Sequence, residues 1–271
     1  MDKYIIEGRY PIKGTLTLSG NKNAALPCIS ASVLANGPVT LRNIPAIEDV
    51  SVMFDVFRYL GGLVEQVDAN SWCLDPRPIS KYEVPEELAK KVRASILFAG
   101  PLVARFGKAI LPPPGGDTIG RRRIDTHIVA LQELGARISL ENTLTFSATK
   151  LVGVPVFLDE ASVTGTENAI MAASLAEGTT IIMNAACEPH VQDLCRMLIQ
   201  MGAEIDGVGS NRLIIKGAES LNGTDFAISA DYMELGSFIG LAVVTGGDLR
   251  CLLYTSPSPR DRTRSRMPSS A

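Results

Sequence analysis

Apolar positions along the chain fall into a pattern that recurs three times. Each copy reads as an apolar helix, a Gly-containing turn, a strand, a Pro-containing loop, an amphipathic helix that stops at Gly, and a closing strand. The first copy is ISASVLANGPVTLRNIP followed by EDVSVMFDVFRYLGGLVEQV, the second ILFAGPLVARFGKAILPPPGG followed by IDTHIVALQELGARISL, the third IMAASLAEGTTIIMNAACEP followed by VQDLCRMLIQMGAEIDGV. Gly61, Gly135 and Gly202 sit at the stops, where a left-handed residue closes a helix and lets a strand start at once. The stops are about 70 residues apart, too far for a solenoid turn, so each copy is a small αβ module. The fold class is α/β (α+β), and three such modules can pack with helices inward and sheets outward about a pseudo-threefold axis.

A fourth copy begins at SFIGLAVVTGGDLRC and breaks off after Cys251. The remainder, residues 252–271, has no hydrophobic period and is rich in Ser, Pro and Arg, with Arg260, Arg262, Arg264 and Arg266 at alternate positions. A basic nucleic-acid or membrane arm is one reading. The other, preferred here, is a non-native disordered tail: adapter-like sequence joined to an interrupted gene, set aside for fold reasoning. Apolar residues of the interrupted copy, such as Phe238, Ile239 and Leu241, are then expected to lack cover and to favour aggregation.

Composition changes this picture little. With 271 residues, 46% of them hydrophobic and 20% charged, the chain can bury one large core or two modest ones. A net charge of −3 gives no support for a broad nucleic-acid footprint, so any anion must be held by local charges. The first residues have no apolar leader, and no run of about 18 apolar residues occurs, so no membrane partner is expected and the location is expected to be cytoplasmic. Cys28, Cys73, Cys187, Cys195 and Cys251 show no metal-ligand or disulfide spacing; neither a metal nor a cofactor is expected.

Four segments carry candidate chemistry. In SGNKNAALP, Lys22 offers a point charge and Asn23 both donates and accepts, between a strand and a helix expected to begin near Leu26; a plain surface lysine beside a cap is the competing reading. Residues 112–127, PPPGGDTIGRRRIDTH, combine mobile glycines and stiff prolines with Asp117 and with Arg121, Arg122 and Arg123, whose guanidinium forks suit carboxylate and phosphate; they read as a lid or as a solvated hairpin. Arg93 stands near the start of an apolar helix, where it adds to the positive helix end or pairs with a carboxylate. In SVTGTENAIMAA, residues 162–173, the hydroxyls are explained by capping alone. His127 falls one turn into a helix and His190 in a Pro-containing loop, neither with a triad partner, and Trp72 reads as packing.

Together SGNKNAALP, RASILFAGPLVARFG, LPPPGGDTIGRRRIDTHIVALQELGA, SVTGTENAIMAASLAEGTTII and NAACEPHVQDLCRMLIQMGA resemble, in order, blocks of the UDP-N-acetylglucosamine enolpyruvyl transferases. The resemblance implies two inverse, barrel-like α/β domains with substrates in the cleft between them. Residues 22–229 would be one complete domain, and 1–21 with 230–251 a fragment of a truncated second one. It implies transfer of the enolpyruvyl group of phosphoenolpyruvate to the 3-hydroxyl of UDP-N-acetylglucosamine, with no nucleic-acid or membrane partner. Lys22, Arg93 and Arg122 match positions that grip phosphoenolpyruvate, and Asn23 matches the sugar contact. Arg122, Arg123, Ile124, Asp125 and Thr126, with Ser162 and Val163, match the cradle for the uridine diphosphate. Asp117 matches a catalytic lid position usually filled by cysteine, which implies proton donation without a thiol that fosfomycin can alkylate. The family's general base and further arginines match nothing in this chain, so turnover by the chain alone is not expected. A 3-phosphoshikimate enolpyruvyl transferase and a noncatalytic nucleotide- or anion-binding fragment are the alternatives.

Overall fold

The computed structural model describes residues 3–5, 7–8, 10–115 and 123–252. Asp117, Arg121, Arg122 and the tail from 253 lie outside these residues. Strand β1 (Lys13–Thr17) leads into α1 (Lys22–Ala31), which a 3-10 turn (Ser32–Leu34) extends; β2 (Val39–Arg42), α2 (Glu48–Leu60), β3 (Leu63–Asp68) and β4 (Ser71–Asp75) complete the first module. The second contains a short α3 (Glu86–Ala89), a 3-10 stretch (Arg93–Phe98) running into α4 (Ala99–Phe106), β5 (Lys108–Leu111), α5 (Asp125–Glu133), β6 (Arg137–Leu140) and β7 (Leu144–Ser147). The third contains β8 (Pro155–Phe157), α6 (Val163–Ala173), β9 (Thr179–Met183), α7 (Pro189–Gln200), β10 (Glu204–Asp206) and β11 (Arg212–Lys216), followed by β12 (Thr224–Ala227), α8 (Tyr232–Thr245) and β13 (Asp248–Leu252).

Each module builds the same sheet. The last two strands form a hairpin, and its second strand pairs antiparallel with the strand after the first helix, giving β2-β4-β3, β5-β7-β6 and β9-β11-β10. A parallel partner then covers the free edge: β12 on β2, β8 on β9, and in the second module a single bridge, Glu83 to Ile110. The partner of β2 arrives from beyond the third module, so β12 closes the set into a ring. The second hairpin strand of each module, SWCLD, LTFS and RLIIK, was not among the expected elements; each is only 4 or 5 residues long, too short for its alternation to stand out.

Helices α1 and α6 are buried along nearly their whole length, from Ala24 to Ala31 and from Gly165 to Ala173. A helix buried on all sides lies in the middle of a core, and these two, with α4, form that middle. Their approach is close enough to demand glycine: a Cβ on Gly100 would lie 2.6 Å from the Asn168 carbonyl oxygen. Helices α2 and α7 turn one face inward, with Met53, Val56, Phe57 and Leu60 on the first and Leu194, Met197 and Leu198 on the second. Gly61, Gly135 and Gly202 have φ of 110°, 101° and 109°, as the helix stops require.

Several boundaries differ from the sequence expectation. Helix α1 starts at Lys22 rather than near Leu26, because the Asn21 side chain accepts from the Ala24 N–H and caps it four residues earlier. His190 lies in the first turn of α7, not in a loop, since Pro189 at the first helical position starts that helix. Strand β13 runs through Leu252, one residue past the expected break, by pairing with Thr17. Trp72 is a packing residue as expected, its ring centroid 4.8 Å from that of Phe54.

Strands β1 and β13 pair in parallel with each other and with none of the three module sheets. The two segments that lead out of the modules run side by side: the Asn21 N–H donates to the Ser229 carbonyl (2.9 Å) and the Asp231 N–H to that of Ser19 (2.8 Å). Both then open a helix, Asn21 capping α1 and Asp231 capping α8.

Candidate active site

The N-terminal ends of the three inner helices meet at one cavity of about 400 Å³. Lys22, Asn23 and Leu26 come from α1, Arg93, Ala94 and Leu97 from the 3-10 stretch before α4, and Val163, Thr164 and Glu167 from α6. Lys91, Asp49 of α2 and His190 of α7 complete much of the wall. Such a site follows from the repeat itself: three modules related by a pseudo-threefold axis place equivalent helix ends around that axis. Helix N-termini present N–H groups without intrahelical acceptors, and their dipoles favour negative charge. Lys22, Lys91 and Arg93 add three cations to the same wall.

Lys22 donates to Asp49 Oδ2 at 2.8 Å, with the two side chains 44% and 36% exposed. That pair is shallow enough for an arriving anion to compete with it. Arg93 donates to the Arg123 carbonyl oxygen at 2.9 Å and so ties the cavity wall to the segment before α5. Along that segment Arg123 pairs with Asp125 at 2.5 Å, and the Thr126 hydroxyl donates to Asp159 at 3.0 Å. Ser162 caps α6, accepting from the Gly165 N–H at 3.2 Å, as capping alone requires.

Lys22, Asn23, Arg93 and Val163 thus line one cavity, while Arg123, Ile124, Asp125, Thr126 and Ser162 form the adjoining strip that links α5 to α6. Asp117 and Arg122 fall outside the described residues. His127 does not line the cavity; it is buried between α5 and α6, with Nε2 3.1 Å from Thr164 Oγ1 and Nδ1 2.7 Å from Asn168 Nδ2. Burial, and secondarily the Arg93 charge, push the His127 pKa down to about 4.

Glu167, Thr164, Asp49, Lys91 and His190 are wall residues that sequence reasoning did not select. Glu167 had a signal, a carboxyl inside an otherwise uncharged helix. It is 1% exposed, and among the described residues its Oε1 has no hydrogen-bond partner; nor has Glu188 Oε2. Burial, and then the Glu188 charge, raise the Glu167 pKa well above its ordinary 4.5, which favours the neutral acid. His190 is shifted the other way by burial, against the pull of Glu188, Asp193 and Asp231, and its Nδ1 lies 3.1 Å from the Tyr232 hydroxyl. Among the described residues no group of three His, Cys, Asp or Glu side chains is placed to hold a metal ion, and no helix is long and apolar enough to cross a membrane.

The solved structures similar in fold include the enolpyruvyl transferase NikO from Streptomyces tendae, at a TM-score of 0.75 and 23% identity over 86% of this chain and 56% of that one. An EPSP synthase from Acinetobacter baumannii superposes with a TM-score of 0.72 at 21% identity, over 90% of this chain and 56% of that one. Among curated relatives, the UDP-N-acetylglucosamine 1-carboxyvinyltransferase of Treponema denticola is 61% identical over 261 residues, 96% of this chain and 61% of the relative. That of Borreliella burgdorferi is 54% identical over 250 residues, 92% of this chain and 58% of the relative. The chain therefore spans about three fifths of the length of these relatives. The family model for EPSP synthase (3-phosphoshikimate 1-carboxyvinyltransferase) matches residues 6–256, and with the threefold arrangement of modules around a cationic cavity this places the chain in that family.

Proposed function

We propose that the protein to which this chain belongs transfers the enolpyruvyl group of phosphoenolpyruvate to the 3-hydroxyl of UDP-N-acetylglucosamine, the first committed step of peptidoglycan synthesis, in the cytoplasm. The observation that carries this reading is the convergence of Lys22, Asn23 and Arg93 on one cavity, in a chain 61% identical to a relative of that name. In the reaction the sugar 3-hydroxyl gives up its proton to a base as its oxygen bonds to C2 of phosphoenolpyruvate, and C3 gains a proton. The tetrahedral intermediate then loses phosphate and a C3 proton. Negative charge develops on the departing phosphate in the elimination, so fixed cations in a partly enclosed site stabilise that transition state by electrostatic preorganisation. Lys22 and Arg93 supply such cations, with Arg122 assigned a third, and Asp117 is assigned the proton donor to C3.

In this reading residues 22–229 are one complete domain, and 1–21 with 230–251 belong to a second. The crossings at Asn21 and Asp231, and the separate pairing of β1 with β13, support that division. The adjoining strip of Arg123, Ile124, Asp125, Thr126 and Ser162, together with Val163 of the cavity wall, is assigned to the uridine diphosphate, held partly by α6 N–H groups.

The family model's own description favours a second reading, a 3-phosphoshikimate acceptor. Calorimetric titration of the chain with UDP-N-acetylglucosamine and, separately, shikimate 3-phosphate decides between them. Binding of the sugar nucleotide that weakens at least tenfold in Asn23→Ala supports the proposal. Binding of shikimate 3-phosphate alone would overturn it.

A further inference from the structure

We propose that a buried run of hydrogen bonds through Asn168 and His127 fixes the Thr164 hydroxyl as a donor into the cavity, where it holds a phosphate oxygen of the sugar nucleotide. Thr164 would then be a binding residue, and His127 and Asn168 positioning residues that act through it. The inference rests on the function proposed above and adds residues to it.

The proton order follows from groups whose roles admit no choice. A backbone N–H can only donate, so the Asn168 atom 2.8 Å from the Gly100 nitrogen is the amide oxygen. A backbone carbonyl can only accept, so the Asn168 atom 2.9 Å from the Ile96 oxygen is the amide nitrogen. With the amide fixed at both ends, its second N–H points to His127 Nδ1 at 2.7 Å, and that ring nitrogen must be the acceptor. The ring proton therefore sits on Nε2 and is donated to Thr164 Oγ1 at 3.1 Å. A protonated ring would set two N–H groups against each other across the Asn168 contact, and burial together with Arg93 keeps the ring neutral.

Thr164 Oγ1 thus accepts a hydrogen bond from behind and directs its own O–H elsewhere. The usual outlet, the carbonyl four residues back at Glu160, is taken by the Ser162 N–H at 2.8 Å, and no bond from Thr164 to it is formed. Among the described residues Thr164 Oγ1 has no partner but His127, and Thr164 lines the cavity beside Val163 in the first turn of α6. A hydroxyl aimed this way, next to helix N–H groups that also only donate, suits an oxygen with lone pairs and negative charge. It repels a donor. Asn168 is fully buried, so the order is locked before any ligand arrives.

The test uses the full chain and two readouts. In 15N-edited spectra His127 should show a proton on Nε2 and none on Nδ1, persisting to about pH 5; a proton on Nδ1 overturns the inference. In titrations with UDP-N-acetylglucosamine and with UDP, Thr164→Val should bind each at least tenfold more weakly, the loss expected for one hydrogen bond to a charged group, while Thr164→Ser rescues most of it. An unchanged His127 tautomer in Thr164→Val shows that the fold is intact. If the wild type binds and Thr164→Val binds equally well, the inference is wrong and the proposed function stands. If the wild type binds neither ligand, both fall.

Discussion

Glu167 concentrates the chemistry of this site into one side chain. It projects from an inner helix, is cut off from water, and lines a cavity that also carries the cations Lys22, Lys91 and Arg93. In the unfolded chain its carboxyl ionises above about pH 4.3. In the folded chain burial and Glu188 keep it protonated to much higher pH. The folded state therefore binds a proton that the unfolded state releases, so this group costs stability as pH rises through the unfolded value, and the cost levels off beyond the folded one. Glutamine keeps the shape and cannot ionise. Glu167→Gln is expected to melt above the parent at pH 7, with the gap closing towards pH 4. His127 has the opposite dependence: its folded value of about 4 means stability is lost as pH falls from 6.5 towards 4, by roughly 3 kcal/mol. That is why the informative quantity is the difference between variant and parent, not either melting curve alone. A gap that is absent at pH 7, or that widens in acid, would mean Glu167 is ionised and paired in the fold.

At the level of elements, the helices differ in what their burial makes of them. Helix α6 has no exposed residue from Gly165 to Ala173, whereas α8, with a more apolar sequence, has no buried residue at all, and Val243 and Val244 are 76% and 80% exposed. Local stability tracks buried apolar contact, so amide exchange is expected to be slow through α1 and α6, near the global limit, and orders of magnitude faster in α8. Equal protection in α6 and α8 would show that α8 is covered by something the chain itself supplies. The same contrast explains what the sequence revealed and what it hid. Gly61, Gly135 and Gly202 announced the modules because a left-handed stop depends on one residue and its neighbours. Arg93 could be placed near a helix start for the same local reason, whereas Lys22 was expected ahead of a helix beginning near Leu26 and instead opens it. The strands SWCLD and RLIIK went unread because their role is set by pairing partners elsewhere in the sheet. Glu167, Thr164 and Asp49 went unread as wall residues because only the threefold arrangement brings α1, α2 and α6 to one cavity.

The molecule as a whole is closed by a contact that no local signal foretells. Strand β12, from beyond the third module, adds to β2 of the first, and Arg42 of β2 grips Asp225 of β12 through two hydrogen bonds of 2.7 and 2.6 Å. Behind this seam α1 of the first module packs on α7 of the third, which buries Cys28 and Cys195 on opposite sides of the junction. Burial before all else pushes Cys195 up to about 12 and Cys28 well above its ordinary value, with the Asp193 charge next for Cys28 and the Glu167 charge next for Cys195. Thiolate is the reactive form, so both are silent twice over, by access and by protonation. Cys187, just before α7, is exposed and provides the internal reference. With a disulfide reagent at neutral pH, Cys187 is expected to label at once, while Cys28 and Cys195 label only on unfolding and in the same denaturant transition. Coincidence is the informative part, because one thiol belongs to the first module and the other to the third. Labelling of Cys195 at lower denaturant than Cys28 would show that the third module opens by itself and that the β12 closure does not bind the three modules into one cooperative unit.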